Sequence, residues 1–442
     1  MSFSDDFLWG AASAAYQIEG AFAEGGKGPG IWDALSEGHV KHGDNGNEAC
    51  DHYHLYPKDI QLMKQIGLKA YRFSVSWPRI MPKEHRINRK GLAFYKDLVE
   101  KLCEAGIRPM CTLYHWDLPM WIHEKGGWLC EEVSDYFAEY VEVVVEALSD
   151  KVEYWMTVNE ASTFVGAGYL EGIHAPFETA DVNTPEGMEK MCRLSRNVLL
   201  AHGKAVQVIR KKAIKAPKVG IAMDGTLWMP KQETEEEIEK ARQITFAQIA
   251  DRHQVNWWMD PIVKGTAQEK LTAYLTQEDM EIIHQPIDFM GYNCYKANNL
   301  DDDHGKNPQV YPGLSRTAMG WPITPDALYW AVRFYQERYQ LPIMITENGM
   351  ANIDYPMEDG TIHDPQRIQY LKWYLRGLKR AAEEGYSILG YLYWSVLDNF
   401  EWAEGYDKRF GLIYVDYRTQ ERIFKDSGIW YARVIAENGK NL

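Results

Sequence analysis

Short runs of apolar and β-branched residues alternate along the chain with longer segments of helical period, the order expected of repeated strand–helix units around a parallel sheet. Eight strands are predicted, over residues 7–18, 70–77, 108–115, 153–159, 218–224, 289–295, 342–347 and 388–396. Helices are predicted over residues 56–66, 88–105, 131–148, 185–213, 235–254, 325–339, 364–384 and 426–437. In the segment 364–384, Ile368, Leu371, Leu375 and Leu378 recur at steps of three and four with Arg and Lys between them, so one face is core and the other is wet. No linker, low-complexity tract or short repeat interrupts the alternation. The economical fold is α/β, a single (β/α)8 barrel of the TIM class over residues 1–442 with extended βα loops, the larger ones at 163–181 and 296–321.

Composition agrees. The chain has 442 residues, 45% hydrophobic, enough for a large core, and single α/β barrels commonly exceed the ~150 residues of an average domain. The 63 acidic against 48 basic residues give a net charge of -15, the wrong sign for a phosphate-backbone binder, so no nucleic-acid partner is expected. The start, MSFSDDFLWG, has no basic segment followed by an apolar run, and no window reaches a membrane span of ~18 apolar residues. A soluble cytoplasmic protein with no membrane partner is therefore expected. Six scattered cysteines without a CxxC pair are read as free, buried thiols. The composition leaves a homo-oligomer open.

In such a barrel, function is written at the carboxyl ends of the strands. The predicted ends carry Gln17; Arg72 with Trp77; His115 and Trp116; Asn159 and Glu160; Asp224; Asn293 and Tyr295; Glu347; and Trp394. Two of these are glutamates that each interrupt a buried β run, where an unpaired carboxylate is expensive. Amides, His and carboxylates can hold hydroxyls, Trp can stack on a sugar ring, and two Glu can divide the acid and nucleophile roles of glycoside cleavage. Nothing in the set calls for a metal or a cofactor.

At these residues the sequence resembles the retaining β-glycosidases of glycoside hydrolase family 1, over nearly the whole chain. FLWGAASAAYQIEG resembles the amino-terminal signature, TVNE the acid/base motif, ITENG the nucleophile motif, and WSVLDNFEWAEGYDKRFGL the sugar-binding close. The resemblance implies Glu347 as nucleophile and Glu160 as general acid and then base, two carboxyls ~5–5.5 Å apart in a retaining enzyme. It implies Asn159 at the 2-hydroxyl, Gln17, His115 and Glu401 on the other glycone hydroxyls, ring nitrogens from Trp116 and Trp402, and Trp394 as the floor. It places Asn293 in the same site, Arg72 and Tyr295 against Glu347, and Trp321 on the aglycone side.

The expected activity is an exo-acting β-glucosidase on cello-oligosaccharides or aryl and alkyl β-glucosides, with β-galactoside or β-fucoside cleavage at the same site as alternatives. Relatives that cleave 6-phosphoglycosides carry Ser and Tyr where Glu401 and Phe410 stand; Lys408 alone matches them. Asp224 stands where the family usually has Asn, Cys294 replaces the first Tyr of Asn-Tyr-Tyr, and Ser13 replaces Thr. Asp224 near Glu160 is expected either to raise the pKa of the acid or to alter the leaving-group site. The group Asp51, His52 and His54 is read as packing rather than a metal site. The run 233–237 is read as an acidic helix start. Trp77, Trp128, Trp257, Trp258 and Trp430 are assigned to the core. A metal-dependent barrel hydrolase and a non-catalytic sugar binder are the competing classes.

Overall fold

A computed structural model describes residues 3–299 and 313–442. Eight parallel strands close on one another in chain order: β1 (Leu8–Ala12), β2 (Ala70–Ser74), β3 (Arg108–Tyr114), β4 (Tyr154–Asn159), β5 (Lys218–Met223), β6 (Phe289–Asn293), β7 (Ile343–Asn348) and β8 (Ile388–Trp394), with β8 paired back to β1. Alternation along each strand sorts the side chains. Leu8, Met110, Phe289, Met344 and Leu392 fill the barrel, while their neighbours Trp9, Cys111, Met290, Ile345 and Tyr391 face the helices.

The closing seam depends on two glycines. A Cβ at Gly10 would lie 2.5 Å from the Ala70 carbonyl oxygen, and one at Gly390 would lie 2.5 Å from that of Leu8, so only glycine lets these strands approach. Between strands, helix starts follow from capping residues. Asn88 accepts a hydrogen bond from the Lys90 N–H at the head of Arg89–Glu104, and Thr184 accepts from Gly187 before Pro185–Lys212. The acidic run behaves the same way: Thr234 accepts from the Glu237 N–H and opens Glu235–Thr245.

Several expectations need correction; the strand expected over 70–77 ends at Ser74, and Trp77 opens a helical turn, Trp77–Ile80. The strand expected over 7–18 stops at Ala12 and gives way to a helical turn, Ala15–Ile18, because the Ala15 N–H turns to the Ser74 hydroxyl at 2.7 Å. The helix expected over 235–254 ends at Thr245, where the carbonyls of Phe246 and Ala247 are taken by the buried Asn256 amide and that of Arg252 by the Trp258 indole. The loop expected over 163–181 contains most of a helix, Ala161–Tyr169; of the loop over 296–321, residues 300–312 lie outside the described residues.

Four of the five tryptophans assigned to the core are fully buried, but Trp430 is half-buried. The six cysteines are free; five are buried and Cys103 is exposed. His52 pairs with the buried Asp59 at 2.7 Å, and Asp59 also receives Arg422, so this cluster serves packing. No helix of the described residues is long and apolar enough to cross a membrane. Beneath the loops that follow β7 and β8 lies a buried ionic network. Asp354 receives Arg367 and Lys425, and Asp398 receives Lys425 and Arg409, so one ammonium ties the two loops together.

Candidate active site

The carboxyl ends of the strands open into a cavity of about 560 Å³. Eleven of the thirteen residues expected at the site line it: His115, Trp116, Asn159, Glu160, Asn293, Tyr295, Trp321, Glu347, Trp394, Glu401 and Trp402. Gln17 and Arg72 stand behind them, at 0% and 1% exposed.

Glu160 follows the last residue of β4 in a left-handed conformation, φ 47°, and heads the helix Ala161–Tyr169; its N–H donates to the Ala222 carbonyl at 2.8 Å. Trp116 and Trp402 also sit at positive φ, 77° and 50°. Glu347 lies within β7, where the register with β6 shifts between Tyr292 and Asn293. Such an irregularity turns a side chain relative to the regular pleat.

The two glutamates are held differently. Glu347 accepts on both oxygens, from Arg72 Nη1 at 2.6 Å and from the Tyr295 hydroxyl at 2.7 Å. Burial raises its carboxyl above the usual range, and Arg72 and Tyr295 pull it back. Glu160 accepts on Oε1 from Asn293 Nδ2 at 2.7 Å. Burial first, then the charge of Asp224, then that of Glu347 push it well above the carboxylate range. A hydrogen-bonded chain joins the pair: Arg72 Nη2 and Asn293 Nδ2 both donate to Asn159 Oδ1, at 2.6 and 3.0 Å. Asn159 Nδ2 in turn donates to His115 Nε2 at 3.3 Å, leaving the buried His115 Nδ1 without a protein partner. Burial and the Arg72 charge hold that imidazole well below its usual range, hence neutral.

Gln17 spends its amide hydrogens on Asn399, the Phe400 carbonyl and Glu401, at 3.0, 2.7 and 3.4 Å, and its Oε1 is buried and unpartnered. Burial and Glu347 push Glu401 up to about 8. The Trp394 ring stacks on His115 with centroids 5.7 Å apart, and Trp321 leans on Tyr295 at 5.2 Å. One expectation fails in detail. The Trp116 Nε1–H donates to the Asn159 carbonyl at 3.0 Å, so Trp116 offers the cavity its ring rather than its nitrogen.

These residues surround a cavity with two buried carboxyls and a wall of indoles, and the sequence profile of glycosyl hydrolase family 1 matches the chain over residues 1–440. The chain belongs to glycosyl hydrolase family 1. It is 44% identical to β-glucosidase A of Acetivibrio thermocellus over 99% of both chains. It is 42% identical to β-glucosidase A of Thermotoga maritima over 99% of this chain and 98% of that one. The structure superposes on that of a Thermotoga maritima β-glucosidase in complex with glucoimidazole with a TM-score of 0.89, 42% identity and 99% of both chains covered.

Within this family 1 hydrolase, Lys408 is engaged elsewhere: its ammonium donates to the Ala318 carbonyl at 2.8 Å and lies 3.6 Å from Glu404. Cys294 is buried and donates its backbone N–H to the Glu347 carbonyl. Ser13 meets the buried Tyr71 hydroxyl. Asp224 lines the cavity and accepts from Ser162 and Thr163. Reading strand ends missed His174, His253 and Lys296, which line the cavity from loops; only the loop contacts reveal them.

Proposed function

We propose that the chain is a retaining exo-β-glucosidase, with Glu347 as nucleophile and Glu160 as acid and base, acting on the terminal glucosyl residue of cello-oligosaccharides and of aryl or alkyl β-glucosides. The observation that carries this reading is the unequal treatment of two buried glutamates on one cavity. Glu347 accepts hydrogen bonds on both oxygens and faces a guanidinium, the environment of a carboxylate. Glu160 accepts from Asn293 but meets no guanidinium, and burial with the neighbouring carboxyls outweighs its donors, the environment of a carboxylic acid.

In the first step the Glu160 proton passes to the glycosidic oxygen as a Glu347 oxygen bonds to the anomeric carbon, and the aglycone leaves as an alcohol. Esterification removes the Glu347 charge, so Glu160, now ionised, can take a proton from water. That water attacks the anomeric carbon, and Glu347 departs as carboxylate with net retention. Gln17 Oε1, His115 Nδ1, Glu401 and the Trp402 indole offer the glycone hydroxyls their partners, and Asn159 meets the 2-hydroxyl. Trp394 floors the glycone and Trp321 lines the aglycone side.

The test is Glu347→Gly. Turnover of a nitrophenyl β-glucoside should vanish, and azide should restore it with an α-glucosyl azide as product. Ordinary turnover by the variant, or a β-azide, would sink the assignment.

A further inference from the structure

We propose that Asp224 is a positioning residue for the proton of Glu160: a fixed carboxylate over the first turn of the helix that Glu160 opens makes the acid keep its proton to higher pH than an uncharged residue at 224 would allow. This rests on Glu160 being the acid and base.

Asp224 directly follows β5, beside the β4 end that presents Glu160, and both line the cavity. Its Oδ2 accepts from the Ser162 hydroxyl at 2.5 Å and the Thr163 hydroxyl at 2.8 Å, the second and third residues of Ala161–Tyr169. The two hydroxyls hold that oxygen over the first turn of the helix. Its Oδ1 is buried with no hydrogen-bond partner, and no ion pair to Asp224 forms among the described residues. The carboxylate is therefore anchored but not neutralised.

The surroundings leave its charge directed at Glu160. Glu347, Glu401 and Tyr295 face the same cavity; Arg72 is committed to Glu347 and Asn159, and His115 is neutral. Lys296 and His253 line the cavity without pairing to Asp224, and the buried phenols of Tyr292 and Tyr335 feel its charge. On top of burial, the charges of Asp224 and of Glu347 both raise the Glu160 carboxyl. One consequence follows for the cycle. Esterification erases the Glu347 charge but not that of Asp224, so Glu160 stays a stronger base when water attacks, and deglycosylation slows sooner toward acid pH.

Asp224→Asn tests this, because its side-chain oxygen can still accept both hydroxyls. The profiles of kcat/KM against pH would be measured for the whole enzyme, Asp224→Asn and Glu160→Ala, with cellobiose and with 2,4-dinitrophenyl β-glucoside, whose leaving group needs no proton. In Asp224→Asn the basic limb for cellobiose should move down by about one pH unit, the scale of a neighbouring charge, while the dinitrophenyl profile stays in place. An unmoved cellobiose limb, or an equal shift with both substrates, overturns the role of Asp224. Should Asp224→Asn not fold, Asp224→Ser is read by the same criteria. A basic limb for cellobiose that survives in Glu160→Ala overturns instead the assignment of Glu160.

Discussion

Arg72 Nη1 lies 2.6 Å from Glu347 Oε1, a contact between side chains 1% and 4% exposed that reaches across the barrel from β2 to β7. A pair this buried is costly to break, because the survivor keeps its charge without water. Arg72→Met should lower stability by about 3–5 kcal/mol. It also removes the charge that pulls the Glu347 carboxyl down, so the acidic limb of kcat/KM should move to higher pH. Chemical denaturation and a pH profile on an activated glucoside check both; an unmoved acidic limb would separate that limb from Glu347.

Trp116 and Trp402 pack at 4.6 Å but use their nitrogens differently. The Trp116 N–H is committed to the Asn159 carbonyl, whereas the Trp402 N–H has no partner among the described residues. Trp116→Phe should cost about 1–3 kcal/mol of stability by leaving that carbonyl unpaired. Trp402→Phe should leave the melting point nearly unchanged and raise KM roughly fivefold, the size of one neutral hydrogen bond. Thermal melts and KM for cellobiose distinguish the pair, and reversed effects would contradict the assignment.

Among the described residues Lys408 is committed to the Ala318 carbonyl and Glu404, while carboxyl-bearing Glu401 lines the cavity, a poor setting for a 6-phosphate. A dianion buried without a cation costs several kcal/mol. In a panel of nitrophenyl glycosides, the β-glucoside should therefore exceed its 6-phosphate by at least about 100-fold in kcat/KM. The same panel, extended to the β-galactoside and β-fucoside, ranks the epimers, with the glucoside expected first.

Stability should fall on the acid side for a definable reason. Burial pushes the Asp354 carboxyl up, but Lys425 and Arg367 outweigh it and hold the group below its usual range; His52 and Arg422 do the same for Asp59. Carboxyls lowered in the folded state contribute stability that is fully present above the unfolded value of about 3.9 and is lost as pH falls through the lower folded values. Melting temperature against pH should thus drop below about pH 4. Asp354→Asn should already be destabilised at pH 7, because Lys425 and Arg367 keep their charges.

The strands were legible because a barrel buries them on both faces: the runs that end at Asn159 and near Glu347 stand out as apolar blocks bounded by polar residues. Strand ends then nominated the site. Direction of hydrogen bonding was not legible. That the Trp116 nitrogen turns to a backbone carbonyl, or that Gln17 meets Glu401 384 positions away, depends on closure of the barrel seam. Helix limits failed where a tertiary partner intervened, as when Asn256 took the carbonyls that would have continued the helix past Thr245. Asp224 was visible as an unusual residue, but the Ser162 and Thr163 hydroxyls that anchor it emerged only with the folded helix start.

Three side chains that line the cavity, at 116, 160 and 402, sit on left-handed backbone that a residue with a Cβ adopts at a cost of roughly 1–2 kcal/mol. Glycine would adopt the same backbone freely. At 116 and 402 the buried indoles offset that cost by packing on one another, whereas at 160 only the carboxyl's place in the cavity holds the residue, so a lineage released from hydrolysing glycosides would be drawn to glycine at 160 first.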